Sequence, residues 1–240
     1  MKPIIGIVGR PLLIDNEWTY MGVSDSCRNA VLKYDAVPLL IIPPQQIGYA
    51  TTKYKECPIL TDSDKEILTK YIDMCDGIIL PGGYKMFEYD FFVLEQCIKK
   101  DIPVLGICMG MQIMANYGRE VNNVPNDTPI NHQELYLDYA HDVTINEDSF
   151  LYKIVRKKQI KVNSMHSLHV LPSNIYKVMA CSDDGIIEAM EYSNNTFNIG
   201  VQWHPEKMFE YDESARRIFE RFLAEIIKYR NERKGNIVKI

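Results

Sequence analysis

The group in this chain best suited to covalent chemistry is a cysteine flanked by glycines, Gly106-Ile107-Cys108-Met109-Gly110. It follows the apolar run IPVLGI and precedes the helix-like MGMQIMANYG, so Cys108 stands where a strand becomes a helix. G-x-C-x-G at such a junction has the form of a nucleophile elbow with cysteine in place of serine. The turn is so sharp that Gly106 and Gly110 must lack side chains, and it pushes the thiol out at the carboxyl end of the sheet, where open α/β folds bind ligands. A helix N-terminus behind the sulfur favours the thiolate. The N–H of Met109 can point at a developing oxyanion. Taken alone, the pentapeptide fits a glycine-flanked structural cysteine equally well.

A thiol near its free pKa needs a base. Of the five histidines, at 132, 141, 166, 169 and 204, His204 stands out. It follows the strand-like FNIGVQW and precedes Pro205, which holds it extended. In an extended segment residues i and i+2 face the same way, so Glu206 can orient the imidazole. A second oxyanion donor is expected from Gly82 or Gly83, at the end of the strand-like IILPGG. A plain type II turn at Pro81-Gly82 is the competing reading.

These residues need a scaffold to bring them together. The first half of the chain alternates strand-like runs (3–9, 37–43, 76–83, 102–108) with helix-like stretches (22–34, 62–74, 87–99, 109–118). That rhythm implies a parallel sheet with helices on both faces. Asp62 or Ser63 is the expected N-cap of the second helix, and Gly118 the stop of the fourth. The second half carries strand-like runs at 141–145, 159–163, 176–181, 185–192 and 197–203, several joined by short turns, and a final helix at 212–230. The irregular stretch 119–140 is long for a plain connection, and whether it folds over the site as a lid is left open.

Composition bounds the remaining classes. With 240 residues, 46% hydrophobic and 25% charged, the chain reads as one globular domain, 1–240, with a sizeable core. A formal net charge of −5 argues against nucleic acid as a partner. No apolar run reaches the ~20 residues of a membrane span, and the N-terminus lacks the pattern of a signal peptide, so a cytoplasmic location is expected. The six cysteines, at 27, 57, 75, 97, 108 and 181, form no CxxC pair and no zinc-finger spacing with histidine, so free thiols and no metal are expected. Cys75 and Cys181 read as core, His169 as structural.

LPGG, GICMGMQ and VQWHPE, in this order and at these separations, resemble the class I glutamine amidotransferase-like superfamily over nearly the whole chain. The opening IGIVGRP, the segment VNSMHS and the stretch DGIIEAME are similar to its gamma-glutamyl-gamma-aminobutyrate hydrolase branch, peptidase family C26. The resemblance implies a flavodoxin-like doubly wound, mainly parallel sheet with added antiparallel strands in the second half. It implies a Cys108–His204–Glu206 triad, an oxyanion hole from Met109 with Gly82 or Gly83, and contacts to a glutamyl group from Gln112, Asn163, Ser164 and His166. No cofactor is implied. Three features depart from the branch: Met109 where arginine is common, Ser167-Leu168-His169 after the N-S-x-H segment, and Lys85 where an aspartate follows P-G-G-x. The expected activity is cysteine-dependent hydrolysis of a small gamma-glutamyl amide through a glutamyl thioester. The alternative is a glutaminase subunit passing ammonia to a separate synthetase partner. The amine leaving group, and whether the chain forms a homodimer, are left open.

Overall fold

The computed structural model describes residues 2–14, 18–45, 59–118 and 120–237. In chain order the elements are β1 (Ile4–Val8), β2 (Arg10–Ile14), β3 (Trp18–Gly22), α1 (Asp25–Lys33), β4 (Val37–Ile41), α2 (Asp62–Met74), β5 (Gly77–Leu80), α3 (Glu88–Lys100), β6 (Val104–Ile107) and α4 (Met109–Ala115). The second half adds β7 (Asn123–Pro125), β8 (Gln133–Glu134), β9 (His141–Ile145), α5 (Phe150–Val155), β10 (Gln159–Val162), β11 (Ser164–Met165), β12 (Leu168–Val170), β13 (Lys177–Ser182), β14 (Ile187–Glu191), β15 (Asn198–Val201), a 3-10 turn (Pro205–Lys207) and α6 (Glu213–Ile237).

Nine strands form one mixed sheet in the order β10-β9-β13-β14-β15-β6-β5-β1-β4. From β15 to β4 every pairing is parallel, and from β10 to β15 every pairing is antiparallel. This is the α/β class expected from the alternating rhythm.

Strand alternation places one core on each face of the sheet. Ile5, Ile7, Ile79, Leu105 and Ile107 join α1, α5 and α6 through Cys27, Ala30, Leu151, Ile218 and Phe222. Val8, Ile78, Leu80 and Val104 join α2, α3 and α4 through Leu68, Ile72, Val93, Leu94, Met111 and Met114. Burial of side chains of this size contributes about 1.5–3 kcal/mol each before conformational entropy is subtracted.

The helix ends depart from expectation in detail. The cap of α2 is Thr61, one residue before Asp62 and two before Ser63, in a reciprocal capping box with Asp64. Helix α4 ends at Ala115 with Asn116 as its C-cap, and Gly118 lies beyond it at φ 73°. Cys57 lies outside the described residues. Cys75 and Cys97 are fully buried. Among the described residues no helix is long and apolar enough to cross a membrane.

Candidate active site

The parallel half of the sheet fixes the cysteine. β6 runs between β5 and β15, and the Cys108 N–H still donates to the Val201 carbonyl at 2.8 Å, so the sheet holds the chain up to the turn. Cys108 itself adopts φ 51°, ψ −108°, a positive φ that a residue with a side chain rarely takes. The glycines on either side are required by close approach. A Cβ on Gly110 would stand 1.8 Å from the Leu80 carbonyl oxygen, and one on Gly106 would stand 2.5 Å from Met114 Sδ. Helix α4 therefore begins against the sheet, with Met109 at its first position. An N–H there has no carbonyl one turn back to bond within the helix.

The opposing wall is the Pro81-Gly82-Gly83 loop after β5. A Cβ on Gly82 would meet His204 Cε1 at 2.9 Å and Cys108 Cβ at 3.6 Å, so the imidazole and the thiol side chain close on this glycine together. A Cβ on Gly83 would meet the end of the Met109 side chain at 2.7 Å. The expected oxyanion residues are thus gathered around Cys108.

Arg10 holds this loop, and sequence reasoning passed it over. Its guanidinium donates to the Pro81 carbonyl at 2.9 Å and the Gly82 carbonyl at 3.3 Å, and pairs with the fully buried Asp90 of α3. With the carbonyls tied on one side, the peptide planes of the loop are fixed. A buried arginine at the end of an apolar strand run was the available signal, since such a charge must find a partner.

His204 and Glu206 meet as expected, through a different local structure. Glu206 Oε1 lies 2.7 Å from His204 Nδ1. His204 has φ −112°, ψ 77°, and Glu206 sits in the 3-10 turn Pro205–Lys207, so a tight turn and not a continuing strand brings the two together. Burial disfavours the imidazolium, but the Glu206 carboxylate and the Cys108 sulfur, which also hydrogen-bonds the ring, outweigh it and push the His204 pKa up to about 10. The direction of the shift favours the charged ring.

The remaining expected residues divide into two groups. Asn163 brackets the His204 backbone: its side-chain oxygen accepts from the His204 N–H at 2.8 Å and its amide donates to the His204 carbonyl at 3.0 Å. Gln112 is buried in an amide network, donating to the Leu168 carbonyl at 2.9 Å and to Gln202 at 3.2 Å while accepting from Asn123 at 3.3 Å. Ser164 donates to the His132 carbonyl at 3.1 Å, and His166 reaches Glu188 and the Leu168 carbonyl. Ser164 and His166 thus belong to a second buried cluster, around His132 and Glu188, while Gln112 belongs to the amide network of Gln202 and Asn123. His169 contacts Asn126 at 3.1 Å.

The described part of the stretch 119–140, residues 120–140, is tied down at two places. β7 pairs with β12 and β8 with β11, both antiparallel. It therefore lies along the segment that carries Asn163, Ser164 and His166.

Comparison with known proteins gives a consistent result. The peptidase C26 family model matches residues 87–206, half of the chain. A glutamine-hydrolyzing GMP synthase subunit of Haloarcula marismortui is 30% identical over 150 residues, 62% of this chain and 72% of that protein. The gamma-glutamyl-gamma-aminobutyrate hydrolase PuuD of Escherichia coli is 25% identical over 192 residues, 67% of this chain and 76% of that protein. Among solved structures, a GMP synthase subunit protein from Thermoplasma acidophilum aligns over 98% of both chains, with a TM-score of 0.67 and 17% identity.

Proposed function

Because this chain belongs to the peptidase C26 family of the class I glutamine amidotransferase-like superfamily, we propose that it hydrolyses the amide bond of a small gamma-glutamyl compound with Cys108 as nucleophile, His204 as acid–base and Glu206 as the orienter of His204. One observation carries the reading. Cys108, held at positive φ on a strand-to-helix turn, shares the Gly82 loop with an imidazole that is itself paired to a buried carboxylate.

In this reaction the Cys108 thiolate attacks the gamma-carbonyl carbon and a C–S bond forms. Negative charge moves to the carbonyl oxygen, where the N–H groups of Met109 and of Gly83 or Gly82 receive it. The imidazolium of His204 gives its proton to the departing amine, the C–N bond breaks and a glutamyl thioester remains. His204, now neutral, takes a proton from water. The resulting hydroxide equivalent attacks the thioester, and glutamate leaves as the thiolate returns. Glu206 keeps the proton on Nδ1 throughout. Arg10 and Asn163 are positioning residues: one fixes the oxyanion loop, the other the backbone of His204. Gln112, Ser164 and His166 support the glutamyl side of the site by holding the segments around it.

The test is glutamate release from a panel of gamma-glutamyl amides, with glutamine included, by the wild type and Cys108→Ala. Turnover of a gamma-glutamyl amine that falls at least ~10³-fold on substitution is the expected result. Silence across the panel, with Cys108 unreactive toward alkylation, would end the reading. The relationship to a glutamine-hydrolyzing GMP synthase favours a second reading, a glutaminase that supplies ammonia to a separate synthetase. Activity on glutamine alone would select it.

A further inference from the structure

Behind the strand that leads to His204 lies a cluster that this chemistry does not use. His132, His141, His166 and Glu188 are buried, and each turns one ligand atom toward the others, all within 4.8 Å. Glu188 Oε1 stands 3.4 Å from His132 Nδ1, 3.7 Å from His141 Nε2 and 3.5 Å from His166 Nε2. These separations are long for charge-assisted hydrogen bonds, which run about 2.7–2.9 Å. Two of the three fall inside, and that to His141 just outside, the ~3.3–3.6 Å edges of a tetrahedron whose ligands lie about 2.0–2.2 Å from a central ion, so a modest inward shift of the four side chains would close one. His141 Nε2, His166 Nε2 and both Glu188 oxygens have no hydrogen-bond partner although buried.

The outer nitrogens point to the same conclusion. His132 Nε2 lies 3.0 Å from Asp184 Oδ2, His141 Nδ1 lies 3.1 Å from the Asp142 carbonyl, and His166 Nδ1 lies 3.1 Å from the Leu168 carbonyl. The nearest partner of each outer nitrogen is an acceptor, although His166 Nδ1 also lies 3.3 Å from the Asn126 amide nitrogen and Ser164 Oγ lies 3.3 Å from His132 Nδ1. With the proton of each ring on its outer nitrogen, the inner one is free to ligate. Three lone pairs then face a carboxylate. A carboxylate or carbonyl behind each histidine is the arrangement that orients imidazoles around a metal. A divalent cation would also balance the two buried carboxylates, Glu188 and Asp184.

We propose that His132, His141, His166 and Glu188 form a closed binding site for one zinc-type divalent ion, which fastens the stretch around His132 to the segment following Asn163. Four protein donors leave no open position, so the ion is structural and takes no part in the hydrolysis. It would draw the four side chains inward and stiffen the support of the His204 strand, whose Gln202 N–H donates to the Glu188 carbonyl at 2.8 Å. This departs from the expectation, drawn from cysteine and histidine spacing alone, that the chain holds no metal. The four ligands are spread over 57 positions, beyond the reach of any local motif.

The test uses untagged protein, as wild type and as Cys108→Ala so that the reactive thiol cannot supply a ligand. After dialysis against a chelator, Zn²⁺ is titrated and bound metal counted. Uptake of about one equivalent per chain by both proteins, with a rise in Tm, is expected. His141→Gln combined with Glu188→Gln should lose that uptake. Should this variant fail to fold, X-ray absorption at the zinc edge of the wild type decides: nitrogen and oxygen neighbours near ~2.0–2.2 Å without sulfur support the site. No uptake, uptake unchanged in a folded double variant, or sulfur in the shell would each overturn it. None of these readouts depends on glutamate release, so the site and the proposed activity stand or fall separately.

Discussion

The two halves of the sheet solve different problems. The parallel half, β15-β6-β5-β1-β4, is apolar on both faces and holds Cys108 at the end of β6 through close contact around Gly106 and Gly110, with Arg10 as a polar brace on the Gly82–Gly83 loop. The antiparallel half and the loops on it hold their residues through buried polar contacts: Asn163 to the His204 backbone, Gln112 to Leu168 and Gln202, and the histidines around Glu188. The nucleophile is positioned by shape and the base by hydrogen bonds. Shape tolerates little change, because interiors are close-packed. Polar brackets give way more gradually.

That contrast predicts a graded series. The largest effect should come from Gly110→Ala, whose Cβ would sit 1.8 Å from the Leu80 carbonyl oxygen. Backbone must move, and a loss of about 4 kcal/mol or more, or failure to fold, is expected by urea denaturation. A folded, near-wild-type protein would show that the elbow is looser than its contacts imply. Asn163→Ala should cost less. It frees two bonds to His204 and leaves buried groups unpaired, for about 1–3 kcal/mol of stability. Under the proposed mechanism it should also lower kcat more than it raises KM, since His204 acts in the chemical steps.

The pH series sharpens the comparison further. His204 has its pKa raised from the ordinary value of 6.5 to about 10, so the folded state binds its proton more tightly than the unfolded chain. The stabilisation is fully present below about pH 6.5 and is lost as pH climbs toward about 10. The Tm gap between wild type and His204→Gln should therefore be largest near pH 6 and shrink toward pH 10. A gap independent of pH would mean that folding leaves the His204 pKa unchanged, and a gap that widens with pH would mean that the folded imidazole is neutral. The smallest effect belongs to Thr61→Ala, far from both halves of the site. Loss of the α2 capping box should cost about 1 kcal/mol and leave any activity untouched.

Legibility followed the same division. The parallel strands and helices could be read from the chain because their apolar periods run for four residues or more. β9 was legible to the residue as HDVTI. β8 and β11, two residues each, and β7 and β12, three each, are too short to show a period. The β2–β3 hairpin and α5 were likewise not anticipated. Cys108, His204, Glu206 and Gly82 lie together, but the i, i+2 spacing of His204 and Glu206 works through a 3-10 turn and not the extended segment the sequence suggested. Arg10, Asp90 and the partners of His132 did not announce themselves, because a buried polar side chain is defined by what surrounds it.

The two short β-pairings that tie Asn123–Pro125 and Gln133–Glu134 to the segment 164–170 have a consequence for how this strip can move. They join five residue pairs, Asn123 to Val170 through Pro125 to Leu168, and Gln133 to Met165 with Glu134 to Ser164. A flap on a hinge would swing without breaking such pairs. This strip can lift only by melting them, so opening here is a local unfolding event with its own free energy. Its amides should exchange with deuterium as one slow group, at a rate that tracks denaturant and not substrate concentration.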